Sequence, residues 1–368
     1  MKAEMRNVKF QKITLLIISV LFVLPSAALA NMGSVLLIAT VVHLFIGNVF
    51  IGIVEGLILS KVFKLKKLKT ILLLILANYF SAWLGYVLIN FQIDPLFNLH
   101  NVRFMLYVFI VVAYLLTILI EWPFIAILFK GDTRWLSKSI KGCILVQTIS
   151  YILLCSGYWI VRTTPFYKET KIVQLSNMEL PENVMVYYVD DSDGDVYGGL
   201  LGGEKEKIFD LNSIPEDRLV LWPDFLKSAE LDLVAGFRGG SYDWTVIQKS
   251  IAAKSDYSLA GSSFVLSFQK YITAEAERLA EARDSHWNFN TRWWLSEGLV
   301  GLNMETEERV RINYEIPAVM WNARRATHLP DDKVIFQFGK RQICIYDVVK
   351  KEIALVAYGR DPVAVLRK

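Results

Sequence analysis

The sequence predicts an α-helical four-span membrane bundle followed by a C-terminal all-β domain. Three observations carry this. Residues 13–161 are dominated by apolar runs, while residues 163–368 have the mixed composition of an ordinary water-soluble domain. Four of the runs are each long enough to cross a bilayer as a helix. The loops between those runs alternate between lysine-rich and nearly neutral, as the loops of a multi-pass protein do.

The first 30 residues have the form of a secretory signal. Lys2, Arg6, Lys9 and Lys12 make a basic start, Ile13–Leu24 an apolar core, and Ala28-Leu29-Ala30 a small-x-small site before Asn31. The core is shorter than the ~20 residues of a comfortable span. An uncleaved first helix is the competing reading, and both give the same topology.

The predicted spans follow at 33–60, 70–91, 104–129 and 142–161, so the membrane domain covers 31–162. Lys61, Lys64, Lys66, Lys67 and Lys69 follow the first span, and Lys130, Arg134, Lys138 and Lys141 follow the third. The loop "NFQIDPLFNLHNVR" between the second and third holds one Arg and one Asp. Positive loops stay in the cytoplasm. The C-terminal domain is therefore expected outside the cell membrane, and an exported leader requires the same orientation.

Each span carries one polar or small face. Residues seven apart on a helix lie within about 20° of one another. Asn48 and Glu55 therefore share a face, with Gly52 and Gly56 beside them in a GxxxG pattern. The second span offers Asn78, Ser81 and Gly85, the third Tyr114, Thr117 and Glu121, and the fourth Cys143, Gln147 and Ser150. From 1.5 Å per residue, Glu55 and Gln147 lie ~8 Å, and Asn78 and Glu121 ~12 Å, from the cytoplasmic ends of their helices. One cluster of Asn48, Glu55, Asn78, Ser81, Glu121 and Gln147 is expected there. No Lys or Arg lies deep in the spans, so Glu55 or Glu121 is expected to hold a proton, to pair with a loop lysine such as Lys61, or to bind a cation. Such a cluster serves either as hydrogen-bonded glue or as an ion path or active site.

Residues 163–182 read as a polar linker, and 183–368 as a β-rich domain. "VMVYYV", "VYGGLL", "KEKIFDL", "ELDLVAGF", "YDWTVIQK", "KVIFQF", "RQICIYDV" and "EIALVAY" are strand-like runs bounded by turn residues. "TAEAERLAEARD", from Thr273, reads instead as a surface helix. Residues 184–211 and 326–366 resemble single blades of a TolB-like or WD-type β-propeller: an aromatic-rich strand, an acidic-Gly turn, "DVY" opening the next strand and a closing basic-hydrophobic strand. The resemblance implies a small propeller. No clean repeat lies between 212 and 325, and a β-sandwich is the alternative.

In "DDSDGD", Asp191, Asp193 and Asp195 alternate like the first ligands of a calcium loop, but Val196 and Gly202 stand where such a loop needs Gly and Glu. A polar hairpin turn is the other reading. "HWNFNTRWW" brings together His286, Trp287, Arg292, Trp293 and Trp294, a composition suited to a binding surface, to core packing or to a bilayer interface.

Several classes are set aside. A formal net charge of +4, with the basic residues of the first half confined to short loops, gives no nucleic-acid-binding stripe. Three scattered cysteines give no disulfide framework. No cofactor motif, Ser-His-Asp set, phosphate-binding glycine loop or zinc spacing is found. The expected function is binding of a protein, glycan or envelope component by the outer domain. The alternative is a membrane-embedded enzyme or transporter component using Glu55, Glu121 and Asn78. A sensor working through a partner at the inner loops is a third.

Overall fold

The computed structural model describes residues 43–90, 96–161, 170–211, 219–224, 230–237, 244–256, 273–292, 298–316 and 319–367. The signal segment, Trp293 and Trp294 lie outside the described residues. A π-turn over His43–Gly47 leads into α1 (Asn48–Phe63), followed by α2 (Lys67–Asn90), α3 (Val102–Leu128) and α4 (Trp135–Val161). All four are long and apolar enough to cross a membrane, over Phe45–Phe63, Lys67–Gly85, Val102–Leu128 and Trp135–Ser156. The chain is a multi-pass membrane protein by this measure. The helices start earlier than the apolar runs in α2, α3 and α4, because Lys67, Arg103 and Lys138 are good helix formers and continue the ladder past the bilayer edge.

The GxxxG face of α1 packs directly on α2. A Cβ on Gly52 would stand 2.7 Å from Ile75 Cα, and one on Gly56 2.6 Å from Ile71 Cα. Only glycine lets two backbones approach this closely. Below that contact, the Phe63 and Phe129 rings meet edge to face at 5.1 Å, which brings the ends of α1 and α3 together. Both lysine-bearing loops therefore lie at the same end of the bundle.

The C-terminal region is all β. Its strands in chain order are β1 (Lys171–Val173), β2 (Val184–Asp190), β3 (Val196–Leu200), β4 (Glu206–Phe209), β5 (Leu219–Asp224), β6 (Glu230–Phe237), β7 (Trp244–Ala253), β8 (Thr273–Glu275) and β9 (Glu277–Arg278). They continue with β10 (Trp287–Arg292), β11 (Gly298–Asn303), β12 (Arg309–Ile312), β13 (Tyr314–Ile316), β14 (Val319–Trp321), β15 (Ala323–Leu329), β16 (Lys333–Phe338), β17 (Gln342–Asp347) and β18 (Glu352–Leu366).

Nine strands form one curled, half-barrel sheet in the order β4-β3-β2-β18-β17-β16-β15-β9, with β1 added parallel to β18. Among the described residues, each strand-like run of the sequence contributes a strand. The two blade-like segments, however, are not separate blades. The long strand β18 pairs with β17 through its first half and with β2 through its second, with irregular registers near Ile343 and Arg360 on either side of the switch, so both segments merge into one sheet. The linker also contributes to it, through β1.

The expected helix at 273–284 is absent. β8, β9 and a 3₁₀ turn at Ala280–Ala282 occupy that stretch. Its charges suit a helix surface, but Leu279 and Ala282 are buried and β9 pairs with β15, so packing overrides local propensity.

Burial on both faces of the curled sheet explains its near-continuous apolar strands. Ile335, Ile343, Ile345 and Ala354 enter one core with Val186, Leu233, Ala235 and Ile251, under the β5-β6-β7 sheet. Phe336, Phe338, Cys344, Tyr346 and Ile353 alternate to the other face and meet Phe289, Leu299, Val310 and Ile312 of the β8-β10-β11-β12 sheet. That second core also receives Phe97, Leu99 and Val102 from the membrane half.

Candidate functional site

The polar faces of the four helices converge. The Asn78 side-chain amide donates to Glu55 Oε2 at 2.6 Å and to the Leu74 carbonyl at 3.0 Å. The Ser150 hydroxyl donates to Glu55 Oε1 at 2.5 Å. Glu121 is held in the same way: Ser81 donates to Oε1 at 2.5 Å and Gln147 to Oε2 at 2.5 Å. Each carboxyl thus joins α2 to α4, from α1 in one case and from α3 in the other. Both glutamates have no exposed surface.

Five of the six predicted residues form these two hydrogen-bonded sets, and Asn48 is buried on α1 one heptad before Glu55. Lys61 is exposed at the helix end, and Glu55 takes hydroxyl and amide donors instead. The physical reason is reach: Asn78 and Ser150 project into the same buried layer as Glu55. Ser150, noted only as part of a stripe, is a full member of the site. Higher in the bundle, the Tyr114 and Thr148 hydroxyls lie 2.9 Å apart, as do those of Thr117 and Tyr151. A Cβ added at Gly85 would meet nothing within 4 Å among the described residues, so no close approach requires glycine there.

The outer candidates separate. Trp287 is buried in the core, its ring stacked 6.1 Å from Phe289. His286 is exposed, with Nδ1 3.2 Å from Glu305 Oε1. Arg292 ends β10 and pairs in register with Gly298 and Thr273. The core-packing reading therefore accounts for Trp287.

The acidic turn is a hairpin between β2 and β3, in which Gly194 takes a φ of +78°. Its carboxylates face different partners. Asp191 meets Arg341 at 3.4 Å, Asp193 accepts from the Asp195 amide and the Tyr197 hydroxyl, and Asp195 accepts from Lys207 and the Leu211 amide. The Lys207 ammonium holds the Asp195 carboxyl below its ordinary range. No group of three or more His, Cys, Asp or Glu side chains suited to a metal ion occurs among the described residues.

Sequence reasoning missed the contact between the two halves. The α2–α3 loop inserts Phe97 and Leu99 into the outer core, and the Leu99 amide donates to Gln342 Oε1 of β17 at 2.7 Å. The signal was present: three large apolar side chains, Leu96, Phe97 and Leu99, stand in a short polar loop. Neither the models of known families nor the curated proteins give a match to this chain.

Proposed function

We propose that this chain is a multi-pass protein of the cell membrane that displays an extracytoplasmic β-rich domain for binding a protein, glycan or envelope component. The observation carrying this reading is the closed state of the intramembrane cluster. All four carboxyl oxygens of Glu55 and Glu121 accept a hydrogen bond from Asn78, Ser150, Ser81 or Gln147, and all of these residues but the half-buried Ser81 are buried. A transport path or active site needs access, whereas a structural anchor needs satisfied polar groups. The orientation rests on the lysine loops, which lie at the end of α3 away from the β domain.

The reading is tested by Glu55→Gln combined with Glu121→Gln in the full chain. An amide in place of each carboxyl keeps one oxygen for Asn78 or Gln147 but turns the other into a donor, so the Ser150 or Ser81 hydroxyl must accept instead of donate, and loss of thermal stability is expected. Unchanged stability with loss of a proton or cation flux across vesicles would favour the alternative. Binding is tested with the full chain in nanodiscs against defined glycan arrays and envelope polymers. No retention of any of them would count against the display reading.

A further inference from the structure

We propose that α3 is a lever that couples the packing of the outer domain to the intramembrane carboxyl pair. The proposal rests on the membrane-anchored reading above and does not require the identity of the outer ligand.

Two anchors hold α3. Its buried residues are Val102 at the outer end, and Glu121 and Ile125 near the inner end. Between them the helix shows mostly apolar surface, including Tyr107, Val111, Leu115 and Leu119. The outer anchor belongs to the β domain. Phe97, Leu99 and Val102 are fully or almost fully buried in its second core, and Met105 and Phe109 on the first turns of α3 pack against the same cluster. The inner anchor belongs to the bundle, through Ser81 of α2 and Gln147 of α4.

The connection between the anchors is stiff. Asn98 and Asn101 brace the loop reciprocally: Asn98 Oδ1 accepts from the amides of His100 and Asn101, and Asn101 Oδ1 accepts from the Asn98 amide at 2.8 Å. The Val102 amide donates to the Asn98 carbonyl at 2.9 Å, so the loop runs straight into the helix. About 28 Å of helix then separates Val102 from Glu121. Pro123 removes only the ladder bond to the Leu119 carbonyl, in the turn that carries Glu121, so the helix from Val102 to Leu119 lies before that break. A rigid element fixed at two packed ends passes displacement from one to the other, because packed contacts change between discrete arrangements rather than deform smoothly. A change in how β17 and the β10-β11 sheet hold Phe97 and Leu99 would therefore be felt at Glu121.

The test uses the full chain in nanodiscs and reads the Glu121 band in the infrared, the carbonyl stretch of a protonated carboxyl or the antisymmetric stretch of a carboxylate, assigned by its loss in Glu121→Gln. Leu99→Ala and Gln342→Met perturb the outer anchor. Val365→Ala, in the other core, is the control. The expected result is a shift of the Glu121 band in Leu99→Ala and Gln342→Met, with none in Val365→Ala. If Leu99→Ala does not fold, Gln342→Met decides in its place, since it removes the hydrogen bond to the Leu99 amide and keeps most of the buried side-chain volume. An unshifted band in the folded outer-anchor variants, or an equal shift in Val365→Ala, overturns the coupling. Failure of the membrane reading is distinguished by side-specific labelling, which reports on topology and not on this band.

Discussion

The backbone amide of Leu99 donates to the side-chain oxygen of Gln342 at 2.7 Å, joining a membrane loop to a strand 243 residues further along the chain. The outer domain is in this sense a split domain. Part of its core is supplied from between two spans, so residues 163–368 alone lack Phe97 and Leu99. Leu99→Ala should cost about 2–5 kcal/mol, the range for deleting a buried leucine side chain. Thermal melts of the full chain check this, and residues 163–368 expressed alone should melt lower still. Equal stability of the isolated domain would contradict the role of the loop.

The close approach of α1 and α2 gives a second prediction. Gly56→Ala would drive its Cβ to 2.6 Å from Ile71 Cα, backbone that cannot swing aside. A loss of about 1–3 kcal/mol in bundle stability is expected from such overpacking. Gly85→Ala, where a Cβ meets nothing within 4 Å, should be neutral or slightly stabilising. Parallel melts of the two variants in one detergent make the comparison.

His328 supplies a pH dependence. Its ring is buried on β15, neither nitrogen has a hydrogen-bond partner among the described residues, and it packs edge to face on Phe289 at 4.8 Å. Burial first, and Arg278 second, push it down to about 3. Asp332 Oδ1 lies 3.9 Å from Nε2, but that oxygen accepts from the Ser285 hydroxyl, and burial outweighs its attraction. The folded state therefore keeps His328 neutral while the unfolded chain takes up a proton below about 6.5. Stability from this group is full above that pH and falls as the pH drops toward 3, by about 1.4 kcal/mol per unit. Acid melts of His328→Gln should show a shallower decline between pH 6.5 and 5 than the parent. Identical slopes would remove His328 from the account.

The acidic hairpin gives the fourth prediction. Asp191, Asp193 and Asp195 each turn to a different partner, so neither added calcium nor a chelator should move the melting midpoint. Asp195→Asn, which weakens the bond to Lys207, should lower it. A calcium-dependent rise of several degrees in the parent would restore the calcium-loop reading.

Much of this architecture is legible in the chain. Apolar length set the four helices, and the seven-residue spacing of Asn48 and Glu55 correctly placed polar groups on one buried stripe. Five of the six intramembrane candidates meet as hydrogen-bonded sets because helical periodicity fixes their face, whatever lies opposite. Periodicity carries no information about long-range pairing, however. The joining of β2 to β18 depends on irregular registers near Ile343 and Arg360. The composition around Trp287 fits a binding surface, core packing or a bilayer interface alike, and only its stacking on Phe289 in the core decides for packing. The charged stretch at 273–284 carried a helical pattern, but Leu279 and Ala282 are claimed by the sheet core. Phe97 and Leu99 gave a signal of composition only, since an apolar loop residue does not name its partner.

The most direct measurement is side-specific labelling of single cysteines. Lys66→Cys, in the lysine-rich loop, and Thr306→Cys, in the exposed β11–β12 turn, would each be introduced with Cys155→Ser, since Cys143 and Cys344 are buried. A membrane-impermeant maleimide added to intact cells should label Thr306→Cys and leave Lys66→Cys unlabelled until the cells are opened. Labelling of both from the same side would contradict a bundle that separates the lysine loops from the β domain across the bilayer.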